Sequence, residues 1–369
     1  MTRLGEVATY INGFAFKPDD WSEEGLPIIR IQDLTGNSYQ MNRYAGDYNP
    51  KYEVNRGDVL ISWSASLGVY VWQGEKALLN QHIFKVVFDK CEVDRSFYVH
   101  QVAAILEKAA NQAHGATMKH LTKPVFDALP FYLPDLPTQQ RIADTLDKVS
   151  EGIGLCRKML GELDLMVKAK FVEMLETDYS EKTATEVCTA IVDCPHSTPT
   201  YSGCELLYPA IRTSEISNGE INWNSMKYVS ADEYRMRVKK LMPQPGDIVY
   251  AREGTYGDCV ILPAGFSFCL GQRTMLFRPN IDIANPIYLH QVLRSNYVKR
   301  QADKSNTGST VPHVNVADAK QFHFPLPPIE VQNRFADFST KINESKLTIR
   351  GILDKMETEK LALMQEYFG

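Results

Sequence analysis

The sequence lacks long apolar runs and paired cysteines. No stretch approaches the roughly 20 consecutive apolar residues that a membrane-spanning helix requires, and the N-terminal residues show no apolar signal region. The seven cysteines are an odd number and contain no Cys-x-x-Cys pair, which favours free thiols in a reducing compartment. We therefore expect a cytoplasmic protein that does not contact a membrane.

A surplus of positive charge is also missing, and so are the common catalytic motifs. The net charge is −5, whereas a protein that holds nucleic acid alone is usually basic because neutralised phosphates dominate its affinity. There is no glycine-rich phosphate-binding loop, nucleophile elbow or His-Glu-x-x-His pair. Cys188, Cys194, His196 and Cys204 cluster loosely, but their spacing fits no common zinc site. We expect no catalytic residues, no cofactor and no metal.

The chain instead contains the same series of short phrases twice. Arg30 corresponds to Arg212, Gly57 to Gly246, His100 to His290 and Gln139 to Gln332. The offset grows from 182 (30 to 212) through 189 (57 to 246) to 193 (139 to 332). A repeat of this length with a drifting offset indicates two copies of one domain that differ by loop insertions, and not a solenoid.

Each copy is followed by a segment with the heptad pattern of a long helix. Apolar residues recur at steps of three and four from Ile142 to Met174, and at steps of seven from Phe335 to Leu363, which is typical of coiled-coil helices. Thr138 is expected to cap the first helix. Gly152, Gly154 and Gly161 weaken it, and they permit close helix approach or a bend. The second pattern is the weaker one because it includes Ser339 and Lys346.

We therefore predict an α+β fold in which two similar mixed-β domains are joined by two long helices that pair as an antiparallel coiled coil. The predicted segments are domain 1 at residues 1–137, helix 1 at 138–180, domain 2 at 181–330 and helix 2 at 331–369. Strands are expected at 58–63, 83–88, 247–251 and 275–278, and helices at 94–112 and 285–303.

Polar side chains occur at matching places in the two copies but differ in type. Arginine suits guanine, amides suit adenine and carboxylates suit the cytosine amino group, so these positions are candidates for reading DNA bases. The candidates are Arg30, Gln32, Ser62, Trp63, Ser64, Gln81, His82, Lys119 and His120 in the first copy, and Arg212, Ser214, Arg252, Glu253, Tyr256, Gln272, Arg273 and His313 in the second. The alternative for each is a role in supporting the fold. Arg30 and Arg212 in particular can form internal salt bridges with Asp33 and Glu215.

The chain resembles the specificity subunits of type I restriction–modification systems. The resemblance rests on the segments 133–143 and 326–336, the proline-bounded entries into the two helices, and on the 193–199, 246–249, 252–254 and 362–365 phrases. It spans nearly the whole chain, and the duplicated order is more specific than any single motif. The sequence departs from the family pattern at Asn333, which stands where the first copy has Gln140.

The resemblance implies different roles for the domains and for the long helices. Each domain would be a target recognition domain that reads one half of a split site in double-stranded DNA. The helices would set the spacer between the half-sites and bind two methyltransferase subunits. Restriction subunits would be further partners. The helix residues expected to bind partners are Ile142, Leu146, Val149, Ile153, Leu160, Leu163, Phe335, Ile342, Ile349 and Met356. The subunit itself would not be catalytic. Two alternatives remain: a protein-binding adaptor with duplicated domains, and a stand-alone DNA-binding regulator.

Overall fold

The computed structural model describes residues 2–112, 122–176, 178–203, 208–304 and 313–369. The chain divides into two compact units, unit 1 (Met1–Lys158 with Arg350–Gly369) and unit 2 (Met159–Ile349). Each unit contains one globular domain and a part of both long helices, which span Leu136–Met174 and Ile329–Phe368. Within the described ranges, no helix has the length and apolarity of a membrane span.

The domain of unit 1 contains two four-stranded sheets. The antiparallel sheet has the strand order Thr9–Asn12, Ile83–Val87, Val59–Ser62 and Gly68–Val71. The mixed sheet has the order Arg43–Tyr44, Leu26–Ile29, Ala77–Leu79 and Glu53–Val54, and its two central strands are parallel. Thr2–Arg3 pairs with Pro130–Phe131. The helices are Leu4–Val7, Ile31–Leu34, Arg95–Gln112 and Lys123–Asp127, with 3-10 turns at Pro18–Asp20 and Pro50–Tyr52.

The domain of unit 2 repeats the order of the antiparallel sheet and of three strands of the mixed sheet, whose fourth strand lies on the opposite edge. Its antiparallel sheet runs Cys188–Asp193, Thr274–Pro279, Ile248–Ala251 and Cys259–Ile261, and its mixed sheet runs Tyr201–Ser202, Lys227–Val229, Tyr208–Ile211 and Cys269–Leu270. Ile216–Ser217 forms a hairpin with Glu220–Ile221, and Ser180–Thr183 pairs with His323–Leu326. The helices are Ala184–Val187, Ala231–Arg237, Pro286–Leu293, Asn296–Lys304 and Val316–Lys320, with 3-10 turns at Thr213–Glu215 and Trp223–Ser225. The four predicted strands are confirmed.

The helix predicted at 285–303 is wrong in one respect, because two helices occupy this range. Pro286–Leu293 ends where the hydroxyl of Ser295 donates to the carbonyl of Val292 at 2.6 Å. The carbonyl of Ser295 then accepts from the amide of Lys299, which starts Asn296–Lys304. In the first copy the matching helix, Arg95–Gln112, is continuous. The serine hydroxyl competes for the helical backbone and allows the break.

The first long helix begins earlier than predicted, and its cap is Asp135 and not Thr138. A carboxylate oxygen of Asp135 accepts the amide hydrogen of Thr138 at 3.1 Å, and hydrogen bonds from Thr138 lower the pKa of Asp135. Pro137 fits within the first turn because amide groups there have no partner inside the helix. A carboxylate at this end is also favoured by the helix dipole.

Contacts inside each unit show that the two long helices are antiparallel, which confirms the predicted pairing. In unit 1, Arg157 pairs with Glu357 at 2.7 Å. In unit 2, Lys346 pairs with Asp164 at 2.7 Å, and the rings of Phe171 and Phe335 lie 5.9 Å apart. Within unit 2 the partner's number falls from 346 to 335 as the number along the first helix rises from 164 to 171.

Gly152 explains one close approach between these helices. A β-carbon at this position would lie 2.2 Å from the terminal methyl group of Met356, whereas Gly154 and Gly161 face open space. The close-approach prediction therefore holds for one of the three glycines.

Candidate nucleic-acid interface

Each domain is joined to the start of its long helix by an equivalent buried glutamine, Gln139 in unit 1 and Gln332 in unit 2. Gln139 is buried; its amide donates to the carbonyl of Pro134 at 2.8 Å and its oxygen accepts from the amide of Asp94 at 2.8 Å. Asp94 in turn caps the helix Arg95–Gln112 by accepting from the amide of Phe97 at 2.9 Å. One side chain thus joins the start of a domain helix to the start of a long helix.

Gln332 makes the equivalent contacts in unit 2. It is fully buried, donates to the carbonyls of Pro327 at 2.8 Å and Ile283 at 3.1 Å, and accepts from the amide of Asn285 at 2.9 Å. Asn285 caps the helix Pro286–Leu293. Both chain segments 139–141 and 332–334 have the sequence Gln-x-Arg. The glutamine of this repeated Gln-x-Arg phrase therefore has a structural role, since a buried amide must satisfy its hydrogen bonds.

In unit 2 three polypeptide segments that contain candidate residues come together at one edge of the sheets. The hydroxyl of Thr255 donates to the carbonyl of Thr213 at 2.9 Å, and the amide of Arg252 donates to the carbonyl of Arg273 at 2.9 Å. A β-carbon on Gly271 would lie 2.3 Å from the Cγ of Arg212, so only glycine allows this approach. Segments 212–215, 252–256 and 271–273 form what we call the unit 2 loop cluster.

Unit 1 has a matching cluster, which we call the unit 1 loop cluster (residues 30–33, 62–66 and 80–82). The amide of Trp63 donates to the carbonyl of His82 at 3.2 Å, which is the same bond as that between Arg252 and Arg273. The amide of Asn80 donates to the carbonyl of Ile29 at 3.2 Å. Equal backbone contacts with unequal side chains show that one framework presents two different surfaces.

Several candidate residues serve the framework. Ser62 and Ser64 are buried, and the hydroxyl of Ser62 donates to the carbonyl of Ser64 at 3.2 Å, so these two serines support the loop and do not reach out of it. The guanidinium of Arg252 pairs with Asp193 and donates to the carbonyl of Val314 at 2.9 Å. Only 14% of the Arg252 side chain is exposed, which leaves it a bracing role.

Arg30 and Arg212 form the internal ion pairs that the sequence indicated as the alternative to base contact. Arg30 lies 3.4 Å from Asp33, and Arg212 donates to the buried Glu215 at 2.9 Å. The hydrogen bond to Glu215 raises the pKa of Arg212. Both arginines therefore fix the turn behind the loops.

The remaining candidates lie on or beside the loops. Gln32 and Ser214 are exposed, and Gln81 is half-buried. Gln272 donates to the hydroxyl of Thr198 at 2.8 Å, and Tyr256 donates to Asp303 at 3.1 Å. His313 is half-buried and next to Val314, whose carbonyl binds Arg252. Lys119 and His120 lie outside the described residues.

Among the ion pairs that candidate residues form in the described part of the chain, the most exposed is that of Arg273 and Glu253. Their side chains lie 3.0 Å apart, and 66% of the Arg273 side chain is exposed. In unit 1 His82, the counterpart of Arg273, meets Trp63, the counterpart of Arg252, and the two rings lie edge to face at 4.9 Å. Trp63 also stacks on Phe84 and donates to Asn12 at 3.3 Å. The two clusters therefore offer different chemistry, a guanidinium with a carboxylate in one and two aromatic rings in the other.

The helix residues expected to bind partners are mostly used within the chain. Ile142, Leu146, Val149, Ile153, Phe335 and Ile342 are buried, and Leu160, Leu163, Ile349 and Met356 are half-buried. Their apolar area lies in the intramolecular contacts and in the domain cores. The exposed apolar side chains lie on other faces of the helices. In unit 2 they are Met159, Leu165, Met166, Val172 and Leu347.

This duplicated architecture is that of a known class of DNA-recognition protein. The family model described as "Type I restriction modification DNA specificity domain" matches residues 1–164 and 207–358, and the chain belongs to this family. It is 24% identical to the type I restriction enzyme EcoBI specificity subunit of Escherichia coli, with 89% of this chain and 76% of the relative aligned. It is 21% identical to the MjaVIII specificity subunit of Methanocaldococcus jannaschii, with coverages of 99% and 90%.

Solved structures show the same fold. The S subunit of a type I restriction–modification system from M. genitalium aligns with a TM-score of 0.62 at 12% identity, covering 100% of this chain and 95% of that one. A structure described as the structural basis of complex assembly and conformational transition of the type I R-M system aligns with a TM-score of 0.54 at 16% identity, with coverages of 100% and 96%. The predicted fold class is thereby confirmed.

Proposed function

We propose that this chain directs a type I restriction–modification complex to a split DNA site. Domain 1 and domain 2 each read one half of the site, with boundaries at residues 1–137 and 181–330, and the helical segments 138–180 and 331–369 set the spacer. One observation carries the proposal: the two domains share the order of the antiparallel sheet, three strands of the mixed sheet and equivalent loop-to-loop hydrogen bonds, but have different side chains at the loop tips.

The proposed division also explains what the chain would contribute chemically. The loop clusters supply hydrogen-bond donors and acceptors that can distinguish base pairs in the major groove. Methyl transfer and DNA cleavage would be carried out by other subunits, so this subunit is not catalytic. With a net charge of −5, the chain would share with those subunits the neutralisation of DNA phosphates.

We assign the methyltransferase-binding surface to exposed apolar rows on the long helices. On the first helix, Met159 and Met166 are seven residues apart, and so are Leu165 and Val172. Residues seven apart lie on nearly the same face of a helix, and apolar side chains that are exposed in rows are typical of protein interfaces. This surface replaces the buried residues, such as Leu146, that the heptad pattern indicated.

The proposal is tested by exchanging a domain. A hybrid chain in which residues 1–133 come from a family member with another target is expressed with a methyltransferase subunit, and methylated adenines in the host genome are sequenced. We expect one half-site to change and the other to stay. A change in both half-sites would contradict the modular assignment, and the absence of chain-dependent methylation in an assembled complex would favour the protein-adaptor alternative.

A further inference from the structure

Positions 82 and 273 share a backbone conformation that L-amino acids seldom adopt. His82 has a φ of 71° and Arg273 a φ of 64°. This left-handed region costs energy for any residue with a β-carbon and is usually occupied by glycine; among the other residues asparagine, aspartate and histidine enter it more readily than arginine. Two copies of the domain therefore keep an unfavourable conformation at the same place, with two different large side chains.

The fold imposes this conformation through its hydrogen bonds. The carbonyl of Arg273 accepts from the amide of Arg252 at 2.9 Å, and the carbonyl of His82 accepts from the amide of Trp63 at 3.2 Å. Each left-handed residue directly precedes a buried strand, Thr274–Pro279 or Ile83–Val87. The turn is thus fixed on both sides, and a strained residue held by its surroundings is characteristic of functional positions.

In unit 2 the turn carries one member of a pair of oppositely charged side chains. Arg273 and Glu253 lie 3.0 Å apart, and Glu253 belongs to the loop whose Arg252 amide holds the turn. A guanidinium can donate two hydrogen bonds to the N7 and O6 atoms of guanine, and a carboxylate can accept from the N4 amino group of cytosine. The two groups together match the major-groove edge of a G·C pair.

We infer that positions 82 and 273 are equivalent specificity-determining positions, and that Arg273 with Glu253 reads a G·C pair in the half-site of domain 2. This inference rests on the proposed function. Arg273 makes the guanine contact, and Glu253 positions its guanidinium in the free protein and accepts from the cytosine in the complex. His82 occupies the equivalent place in domain 1, where its ring meets Trp63, so a change there alters the other half-site.

The left-handed backbone supplies a matched set of variants. Arg273→Gly removes the guanidinium and also relieves the strained φ, so we expect its thermal midpoint to be unchanged or raised. Arg273→Lys keeps the charge but loses the two-pronged donor geometry. Glu253→Gln keeps the shape of the side chain and removes its charge. His82→Gly makes the corresponding change in domain 1.

The variants are tested as complexes with the methyltransferase subunit, which are bound to a library of double-stranded oligonucleotides randomised in both half-sites. For Arg273→Gly we expect about a 5- to 150-fold loss of preference for guanine at one position of one half-site, with the other half-site unchanged. Arg273→Lys should relax the same position, and His82→Gly should affect only the opposite half-site.

Two results would overturn the inference and leave the proposed function standing. A loss of affinity that is equal for all sequences, with a salt dependence that falls by about one charge, would make Arg273 a phosphate contact. An unchanged preference at every position would remove it from recognition. If the unaltered complex shows no sequence preference in either half-site, the proposed function itself fails, so the two failures are distinguishable.

Discussion

Replacing Gln139 by alanine should destabilise unit 1 more than any exposed change in the same helix. The substitution leaves the carbonyl of Pro134 and the amide of Asp94 without the partner that each now has at 2.8 Å. Gln139 is 2% exposed, so water replaces the lost bonds poorly. A buried group that loses its partner costs about 1–3 kcal/mol, and the two groups together give a loss on the order of 2–6 kcal/mol.

The tryptophans make this change measurable. Three of the four, Trp21, Trp63 and Trp72, belong to unit 1 and the fourth, Trp223, belongs to unit 2. Urea unfolding followed by tryptophan fluorescence therefore reports mainly on unit 1. Gln140 is exposed beside Gln139, and Gln140→Ala is the control that removes the same side chain without burying an unpaired group.

A comparison with the other unit sharpens the test. Gln332→Ala breaks three such bonds instead of two, so its effect on unit 2 should be at least as large. If Gln139→Ala unfolds at the same urea concentration as Gln140→Ala, the repeated glutamine does not couple domain to helix, and the structural explanation of the Gln-x-Arg phrase is wrong.

Three further predictions concern the spacer, the pH dependence and the partner surface. Deleting residues 154–160 together with 350–356 shortens each helix by about 10 Å, which is the length of about three base pairs. The methylated site should therefore have a different spacer or be lost. An unchanged spacer in an assembled complex would show that the helices do not set the spacer. Burial lowers the pKa of His290 to about 4, against about 6.5 when unfolded. The unfolded chain therefore binds the proton more readily, and unit 2 should lose up to about 3 kcal/mol as the pH falls from 6.5 to 4; urea midpoints followed at Trp223, in a chain whose other three tryptophans are replaced by phenylalanine, should show this with His290 present and not for His290→Gln. Leu165→Lys with Val172→Lys should weaken binding of the methyltransferase subunit while the urea midpoint stays unchanged, and full assembly of this variant would place the partner surface elsewhere.

The sequence was sufficient to predict the duplication, four of the strands and the pairing of the helices. These features depend on periodicity and on repeated phrases, which are local properties of a chain. The strand order could not be predicted, because Thr9–Asn12 pairs with Ile83–Val87 across more than 70 residues. The helix cap was misplaced by three residues, since both Asp135 and Thr138 are good capping residues and only the backbone decides between them.

The loop clusters were predictable in composition but not in geometry. The sequence indicated that His82 and Arg273 are equivalent, yet the arginine is not a residue type that signals a left-handed turn. Burial separated the candidates further, because Ser62 points inward whereas Arg273 is exposed. Residue type alone cannot distinguish an arginine that braces a loop, such as Arg252, from one that is free to contact a base.

The separation of bracing from reading residues explains how such a domain can change its target. Arg212 pairs with the buried carboxylate of Glu215 and Arg252 with the half-buried carboxylate of Asp193, and Gln332 joins that domain to its helix. A change in any of them leaves buried groups unpaired and costs stability. Arg273 is mostly exposed, and its conformation is imposed by backbone hydrogen bonds that do not depend on its side chain. Its identity can therefore change at little cost to the fold, and the same reasoning applies to His82 at the equivalent turn. Two copies of one framework can in this way diverge in what they recognise while both remain attached to the same pair of helices.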